Sequence, residues 1–367
     1  MEASLMKNIS ELNGLRGVAV LSVFFHHAFY ATLGSSLSIR WGVLASVLAR
    51  VFQYGDAGVD LFFVLSGFLI TSLLLRNREE KKFYQDFYWK RLLRICPVFF
   101  VALGITLALH EFRYALLSVF FLANFGPPFH IFGTAPFWSL AIEEQFYLLW
   151  PTAIRRVRTD RIAFYAACLA GFSFVLRCSF GFMGHSNYHL TPLRCDGLAL
   201  GALLAVLKCS RVKLKAVYLL SAGGCGIFCL ILCTLILRDP FGDPLRELGT
   251  VLLCIAIVGL CVEKSGSPWL SIMRSRTLLF FAEISYALYI FHLFIFRLYD
   301  RYVGVPTVGN QSAFWVRIAV LFGASVAVSI VSRYLVELPI LSLRTRVLSH
   351  PRKIDPAIDP PLPLAQM

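Results

Sequence analysis

The sequence predicts an all-α fold, a polytopic transmembrane bundle of about ten spanning helices plus one short re-entrant or interfacial segment. Three observations predict it. Hydrophobic residues make up 58% of the 367 positions and charged residues only 15%, where soluble domains carry about a quarter charged. Mean hydropathy is +0.71, and apolar stretches long enough to cross a hydrocarbon core about 30 Å thick recur along the chain. Those stretches lack the period-2 alternation of barrel strands. The formal charge of +14 does not indicate a nucleic-acid binder, because Lys and Arg gather in short loops, as a topology signal does.

The first span is expected over 13–33, in LNGLRGVAVLSVFFHHAFY. The residues before Leu12 are polar and few, which argues against a cleaved signal peptide and for a span that acts as its own insertion signal. Arg16 and His27 are eleven residues apart. At 100° and 1.5 Å per residue they lie about 20° apart on one helix face and roughly 16 Å apart in height. Arg16 then sits near the membrane edge and His27 near its middle. A polar side chain at that depth costs a few kcal/mol unless it is paired or wet, so it marks a functional site. The competing reading is an interhelical hydrogen bond. His26 points about 100° away and is read as structural.

The second span, 57–75, has glycines and a serine that favour close helix packing. Asp56 fits a helix N-terminus, and Asp60 lies inside the apolar run. The following loop ends in FYWKRLLRICP, where Lys90, Arg91 and Arg94 cluster. Arg91 and Arg94, three apart, share a helix face and form a bidentate site for phosphate. A plain topology or lipid-headgroup cluster is the alternative. After the span 95–109, the stretch 114–125 is too short to cross, and non-helical backbone at membrane depth needs protein cover.

The span 138–154 opens PFWSLAIEEQFYLLWP. Glu143 and Glu144 are costly there and point about 100° apart, so one of them at most addresses a given cavity. One of them orients a histidine or pairs with a buried arginine such as Arg194. Spans follow at 162–181 and 193–207, the latter with Arg194 and Asp196, which pair with each other or across helices. Those at 216–237, 246–262, 277–296 (with His292 mid-span) and 313–335 complete the ten. Glu337 sits at a helix end before Pro339, and residues 341–367 read as a Pro-rich disordered tail. With the N-terminus inside, basic residues concentrate in inside loops, which puts both termini in the cytoplasm. Counting 114–125 as a span would move RRVRTDR outside. The ten cysteines include Cys225, Cys229 and Cys233 on one helix face. They read as small apolar packing, with neither a disulfide framework nor a metal.

Seven phrases occur in order and span nearly the whole chain: LNGLRGVAVLSVFFHH, GVDLFFVLSGFLIT, FYWKRLLRICP, FWSLAIEEQFYLLWP, RCDGLALGALLA, ISYALYIFH and RYLVELP. Together they resemble the family-3 membrane acyltransferases, the bacterial O-antigen, exopolysaccharide and nodulation-factor O-acetylases. The resemblance implies a ten-helix inner-membrane enzyme that uses acetyl-CoA or another acyl-CoA from the cytoplasm. The family pattern of a basic residue, ten positions, then histidine falls on Arg16 and His27, which makes His27 the catalytic histidine. The R-x-x-R pair falls on Arg91 and Arg94, implicated in acyl-CoA use. The W-S-L-x-x-E-E stretch falls on Trp138 to Glu144. Asn13 and Cys195 depart from the family's usual aspartate and leucine without removing a catalytic group. Many relatives carry an extra periplasmic hydrolase-like domain, so this chain reads as the minimal form, with residues 1–340 as the acyltransferase domain.

The expected reaction is O-acyl transfer to a hydroxyl of a cell-surface or secreted carbohydrate or glycolipid. Arg91, Arg94 and Lys90 hold the CoA phosphates. His27 acts as general base or carries the acyl group, with Glu143 orienting its ring and Arg16 polarising the donor or closing the inner gate. Asp60, Glu144 and Trp138 are assigned to the acceptor. The alternative is a transporter or flippase for a glycolipid or acidic sugar, against which stands the absence of any internal repeat.

Overall fold

In the computed structural model, residues 9–31, 43–184, 189–210, 215–235, 242–307 and 310–347 are described, and among them every regular element is helical. In chain order these are α1 Ser10–Phe25, α2 Val43–Phe52, α3 Ala57–Arg76, α4 Phe83–Ala108, α5 Phe112–Val119, α6 Phe137–Arg156, α7 Thr159–Phe182, α8 Thr191–Arg194, α9 Asp196–Cys209, α10 Ala216–Leu235, α11 Gly242–Glu263, α12 Arg276–Glu283, α13 Ser285–Tyr302, α14 Gln311–Ser332 and α15 Leu338–Val347. Two π-helical turns, His26–Ala31 and Arg333–Glu337, extend α1 and α14. The expected disordered tail, 341–367, is helical over 341–347 at the end of α15, and its remainder lies outside the described residues.

Within the described residues the ten expected spans are helical, the one at 193–207 divided between α8 and α9 and the one at 277–296 between α12 and α13. Six helical stretches among the described residues are long and apolar enough to cross a membrane: Val43–Arg76, Phe83–Ala108, Thr159–Phe182, Ala216–Thr234, Asp243–Glu263 and Gln311–Ser342. A seventh is added if α12 and α13, bent by 71° at their junction, count as one. The chain is therefore a multi-pass membrane protein. The three remaining spans fall short for physical reasons. The α-helix of the first stops after 16 residues at the π turn, α6 carries Glu143, Glu144, Arg155 and Arg156, and α9 has 14 residues. The stretch 114–125 forms the eight-residue α5 and a 3-10 turn, Ala123–Phe125, followed by a second at Pro127–Phe129. Helix α2 was not among the expected elements.

The centre of the bundle is α3, packed on α1, α9 and α11. Glycine permits the closest approaches. A Cβ on Gly67 would lie 2.0 Å from the Leu198 carbonyl oxygen, one on Gly201 2.1 Å from that of Val64, and one on Gly58 2.4 Å from that of Ala19. Lipid tails give helices no hydrophobic reason to associate, so such small-residue contacts carry much of the packing.

Polar contacts tie the basic loops together in pairs. Arg78 donates to Thr159 Oγ1 at 2.8 Å and to the Val157 carbonyl at 2.7 Å. Lys208 bonds Glu263 at 2.9 Å, and Arg274 bonds Glu11 at 2.6 Å. Each pair joins segments expected on the same side of the membrane.

Candidate functional site

Among the described residues, two of the cavities in the bundle hold the expected site residues Arg16 and His27. The first, of about 150 Å³, is lined by Arg16, Ser66, Arg91, Arg94, Ser139, Glu143, Ser285, Tyr286 and Tyr289 among apolar neighbours. The second, of about 440 Å³, is lined by His26, His27, Asp56, Thr134, Trp138, His189, Arg246 and Tyr289. Val59 and Tyr289 line both. The expectation that Arg16 and His27 share one stripe thus takes an unexpected form, since they serve two cavities that meet at a common wall.

In the arginine cavity, α4 presents Arg91 and Arg94 three residues apart within one continuous helix. The Arg91 guanidinium stacks 3.7 Å from the centre of the Tyr147 ring, and its Nη2 lies 3.7 Å from Glu144. Tyr147 donates to Glu143 at 3.2 Å, and its hydroxyl also contacts Ser66 on α3. Arg94 is exposed within the cavity and among the described residues has no carboxylate at ion-pair distance. Arg16 donates from Nη2 to Ser285 Oγ at 3.0 Å, its hydrogen-bond partner in place of a carboxylate. The break between α12 and α13 is what delivers Ser285 to that position. Three guanidiniums therefore line the cavity against the single carboxylate of Glu143. A cleft lined by such an excess of one sign of charge attracts an anion.

Three assignments change here. Glu143 is bonded to Tyr147 on its own helix and faces the arginines, so it does not orient His27. Glu144 points to Arg91 and lines neither cavity. Lys90 is half-buried and is not part of the cavity wall. In each case the 100° step along a helix decides the outcome.

His27 stands in the π turn that begins at His26. Such turns widen the helix locally and are frequent at functional sites. His27 Nδ1 is 2.9 Å from the Val23 carbonyl oxygen and 3.3 Å from His292 Nε2. His292 Nδ1 in turn lies 2.7 Å from the Tyr289 carbonyl oxygen and 3.1 Å from that of Leu288. A carbonyl oxygen only accepts, so both Nδ1 atoms carry the proton. His292 Nε2 is then an acceptor for His27 Nδ1–H, and Nε2 is the unprotonated nitrogen of the neutral His27 ring. His292 fills the orienting position expected of Glu143, and the sequence had placed it only as an ambiguous mid-span histidine. His26, read as structural, bonds the Phe52 carbonyl through Nδ1 at 2.9 Å and also lines this cavity.

The far wall of the histidine cavity is the 131–136 loop, fixed by Glu111. Glu111 accepts from the Thr134 amide at 2.9 Å and from Thr134 Oγ1 at 2.7 Å, and it pairs with Arg297. Gln145, in the EEQ triplet, donates to the Phe121 carbonyl at 2.7 Å and to Asn124 Oδ1 at 2.9 Å, and accepts from Thr191 at 2.5 Å. Phe121 itself has φ 53, a strained conformation for a bulky residue that such bonds hold in place. Trp138 lies against His189, ring centres 4.4 Å apart.

Asp60 lines neither of these two cavities but a third, of about 510 Å³, which it shares with Asp56, Arg246 and Glu247. It is buried and bonds the fully buried Arg194 at 2.8 Å. Arg194 also meets Glu247, and Arg246 bridges Glu247 at 3.1 Å and Asp56 at 3.3 Å. Asp196 pairs with Arg177 at 2.5 Å, not with Arg194. Glu337 pairs with Arg333 one turn before it at 3.2 Å. Asp60 is thus the counter-ion of an arginine, and the complete burial of that guanidinium is the reason a counter-ion is needed. Tyr289, Ser139, Ser66, Tyr147 and Ser285 escaped notice as site residues because nothing in their local sequence marks them as polar groups facing a cavity.

An all-helical membrane bundle with an arginine-rich cavity set against a histidine pair fits a transferase that works within the membrane. The family model described as "Acyltransferase domain" matches residues 9–334, and the chain belongs to that family. It is similar to the "Putative peptidoglycan O-acetyltransferase YrhL" of Bacillus subtilis, 29% identical over 346 residues covering 84% of this chain and 51% of that protein. It is also similar to the "Peptidoglycan O-acetyltransferase OatA" of Listeria monocytogenes, 28% identical over 78% of this chain and 49% of that one. The "O-acetyltransferase OatA" of Staphylococcus aureus is 28% identical over 77% and 49%. The chain spans about half the length of these curated relatives. No solved structure matches.

Proposed function

We propose that this chain is a bacterial inner-membrane O-acyltransferase that moves an acyl group, acetyl in the first instance, from cytoplasmic acyl-CoA to a hydroxyl of a surface carbohydrate. The names of the relatives point to peptidoglycan or a lipid-linked glycan of that type as the acceptor. The observation that carries this reading is the charge imbalance of the first cavity. Arg16 and Arg94 enter it without a carboxylate bonded to either, and a CoA phosphate supplies the missing anion. Arg91 is pre-stacked on Tyr147 and completes the fork. Both termini are cytoplasmic and the helices cross ten times in this reading.

The pantetheine arm enters the arginine cavity and brings its thioester to the wall shared with the histidine cavity. The acceptor sugar lies in the second cavity against Trp138. Its hydroxyl oxygen bonds to the thioester carbonyl carbon and its proton passes to His27 Nε2. The carbon–sulfur bond breaks, and the CoA sulfur leaves as the thiol with that proton. In the two-step version His27 Nε2 takes the acyl group first as the carbon–sulfur bond breaks and CoA leaves as the thiolate; the acceptor hydroxyl then displaces the imidazole, and its proton goes to the thiolate. Both versions use the same lone pair, held by His292.

The test is release of CoA thiol and formation of labelled ester by the purified protein with labelled acetyl-CoA and a glycan acceptor. His27→Ala abolishes both. Persistence of ester at wild-type level in a folded His27→Ala protein refutes the assignment. Glycan movement across vesicles without thiol release moves the chain to the transporter class.

A further inference from the structure

The two cavities share Val59 on α3 and Tyr289 on α13. The Tyr289 ring meets Phe62 edge-on, centres 6.1 Å apart. Its hydroxyl lies 2.5 Å from Ser139 Oγ at the start of α6. Ser139 Oγ also lies 3.3 Å from the Pro136 carbonyl, an acceptor for its own proton, which makes the phenol the donor to serine. Three helices thus meet at one aromatic ring, latched by one side-chain hydrogen bond. One turn further along α13 stands His292, in contact with His27.

Resting on the acyl-CoA reading above, we infer that Tyr289 is the door between donor and acceptor cavities and sets the size of the acyl group that passes. A thioester in the arginine cavity reaches a hydroxyl in the histidine cavity only across this ring. Rotation of the ring breaks one hydrogen bond and opens a gap no larger than a phenol. An acetyl group fits such a gap, and each further methylene meets Val59 or Phe62. With the door closed, water on the histidine side has no path to the thioester, so thiol release waits for an acceptor. Tyr289 is a positioning and specificity residue here; it does not exchange protons with the substrates.

The experiment compares acetyl-, butyryl- and hexanoyl-CoA in the wild type, Tyr289→Phe and Tyr289→Ala. One methylene in a pocket shifts kcat/KM by about 10–200-fold. Tyr289→Ala is expected to raise the butyryl-to-acetyl ratio of kcat/KM at least about tenfold and to release CoA thiol without acceptor. Tyr289→Phe keeps the wild-type size preference, since it loses the latch and retains the ring. An unchanged ratio in a folded, active Tyr289→Ala protein overturns the inference. A second measurement needs no turnover. His27→Cys is labelled with a membrane-impermeant maleimide applied to the arginine side of oriented vesicles and read at residue 27 by peptide mass. Labelling is expected only when Tyr289→Ala is added; labelling with Tyr289 intact, or none in the double variant, overturns the door. If acyl-CoA is not the donor, no variant releases thiol while the labelling result still stands, so the two failures are distinguishable.

Discussion

Asp60 separates a structural reading from a catalytic one, and its replacement decides between them. The sequence placed this carboxylate with the acceptor, whereas the structure commits it to Arg194, which is 0% exposed and held at 2.8 Å. Two unit charges about 4 Å apart attract by about 4 kcal/mol at an effective dielectric of about 20. Breaking a buried pair by deleting one partner costs about 3–5 kcal/mol. Arg194→Met orphans Asp60 fully, because Glu247 retains Arg246 at 3.1 Å, and the whole of that cost is expected. Asp60→Asn leaves Arg194 with Glu247 and an amide oxygen, so roughly half the loss is expected. The double variant removes both charges and recovers about 1–3 kcal/mol through their coupling. The assay is unfolding of each purified variant in detergent, read beside KM for the acceptor. If Asp60→Asn raises acceptor KM tenfold with no change in unfolding, or if the double variant shows no recovery, the reasoning fails and Asp60 returns to the site.

Replacing Arg94 or Arg16 with Gln removes a charge-assisted contact worth about 1.5–3 kcal/mol, expected as a rise of about 10- to 150-fold in KM for acyl-CoA with unfolding unchanged; titration of acyl-CoA binding checks it. His292→Ala removes one of the two acceptors of His27 Nδ1–H while the Val23 carbonyl keeps the tautomer, so the ring loses part of its positioning and kcat is expected to fall while acyl-CoA binding holds, as single-turnover thiol release measures. Gly67→Ala or Gly201→Ala drives a methyl into a carbonyl at 2.0 or 2.1 Å; overpacking of this kind costs about 1–3 kcal/mol, visible as lost yield of folded protein. Gln145→Ala strips the bonds that fix Phe121, Asn124 and Thr191 and is expected to cost about 1–3 kcal/mol, with a rise in acceptor KM as the loop wall loosens.

The helices were legible one by one because each must satisfy its own backbone inside lipid, so length and composition place them. The short 114–125 segment was legible for the same reason. The arginine pair was legible as well, since i and i+3 share a face on any helix. Depth along the first span was likewise a matter of rise per residue. The sequence by itself thus determined the all-helical membrane class and most of the helical segments, and it singled out Arg16, Arg91, Arg94 and His27, which the fold brings to the two cavities.

Tertiary structure decided which charge answers which. Asp60 and Glu143 look alike in sequence, each a carboxylate in an apolar run, yet one neutralises Arg194 and the other faces the arginine cavity. That choice depends on helix rotation and on arginines carried by other helices, which leave no local mark in the sequence. The π turn at His26 and the break before Ser285 aim single side chains by small backbone departures that no periodicity forecasts. The wall at Tyr289 exists only because three distant helices converge on one ring. Spacing along one helix is fixed by covalent geometry, whereas a cavity is fixed by how separate helices pack.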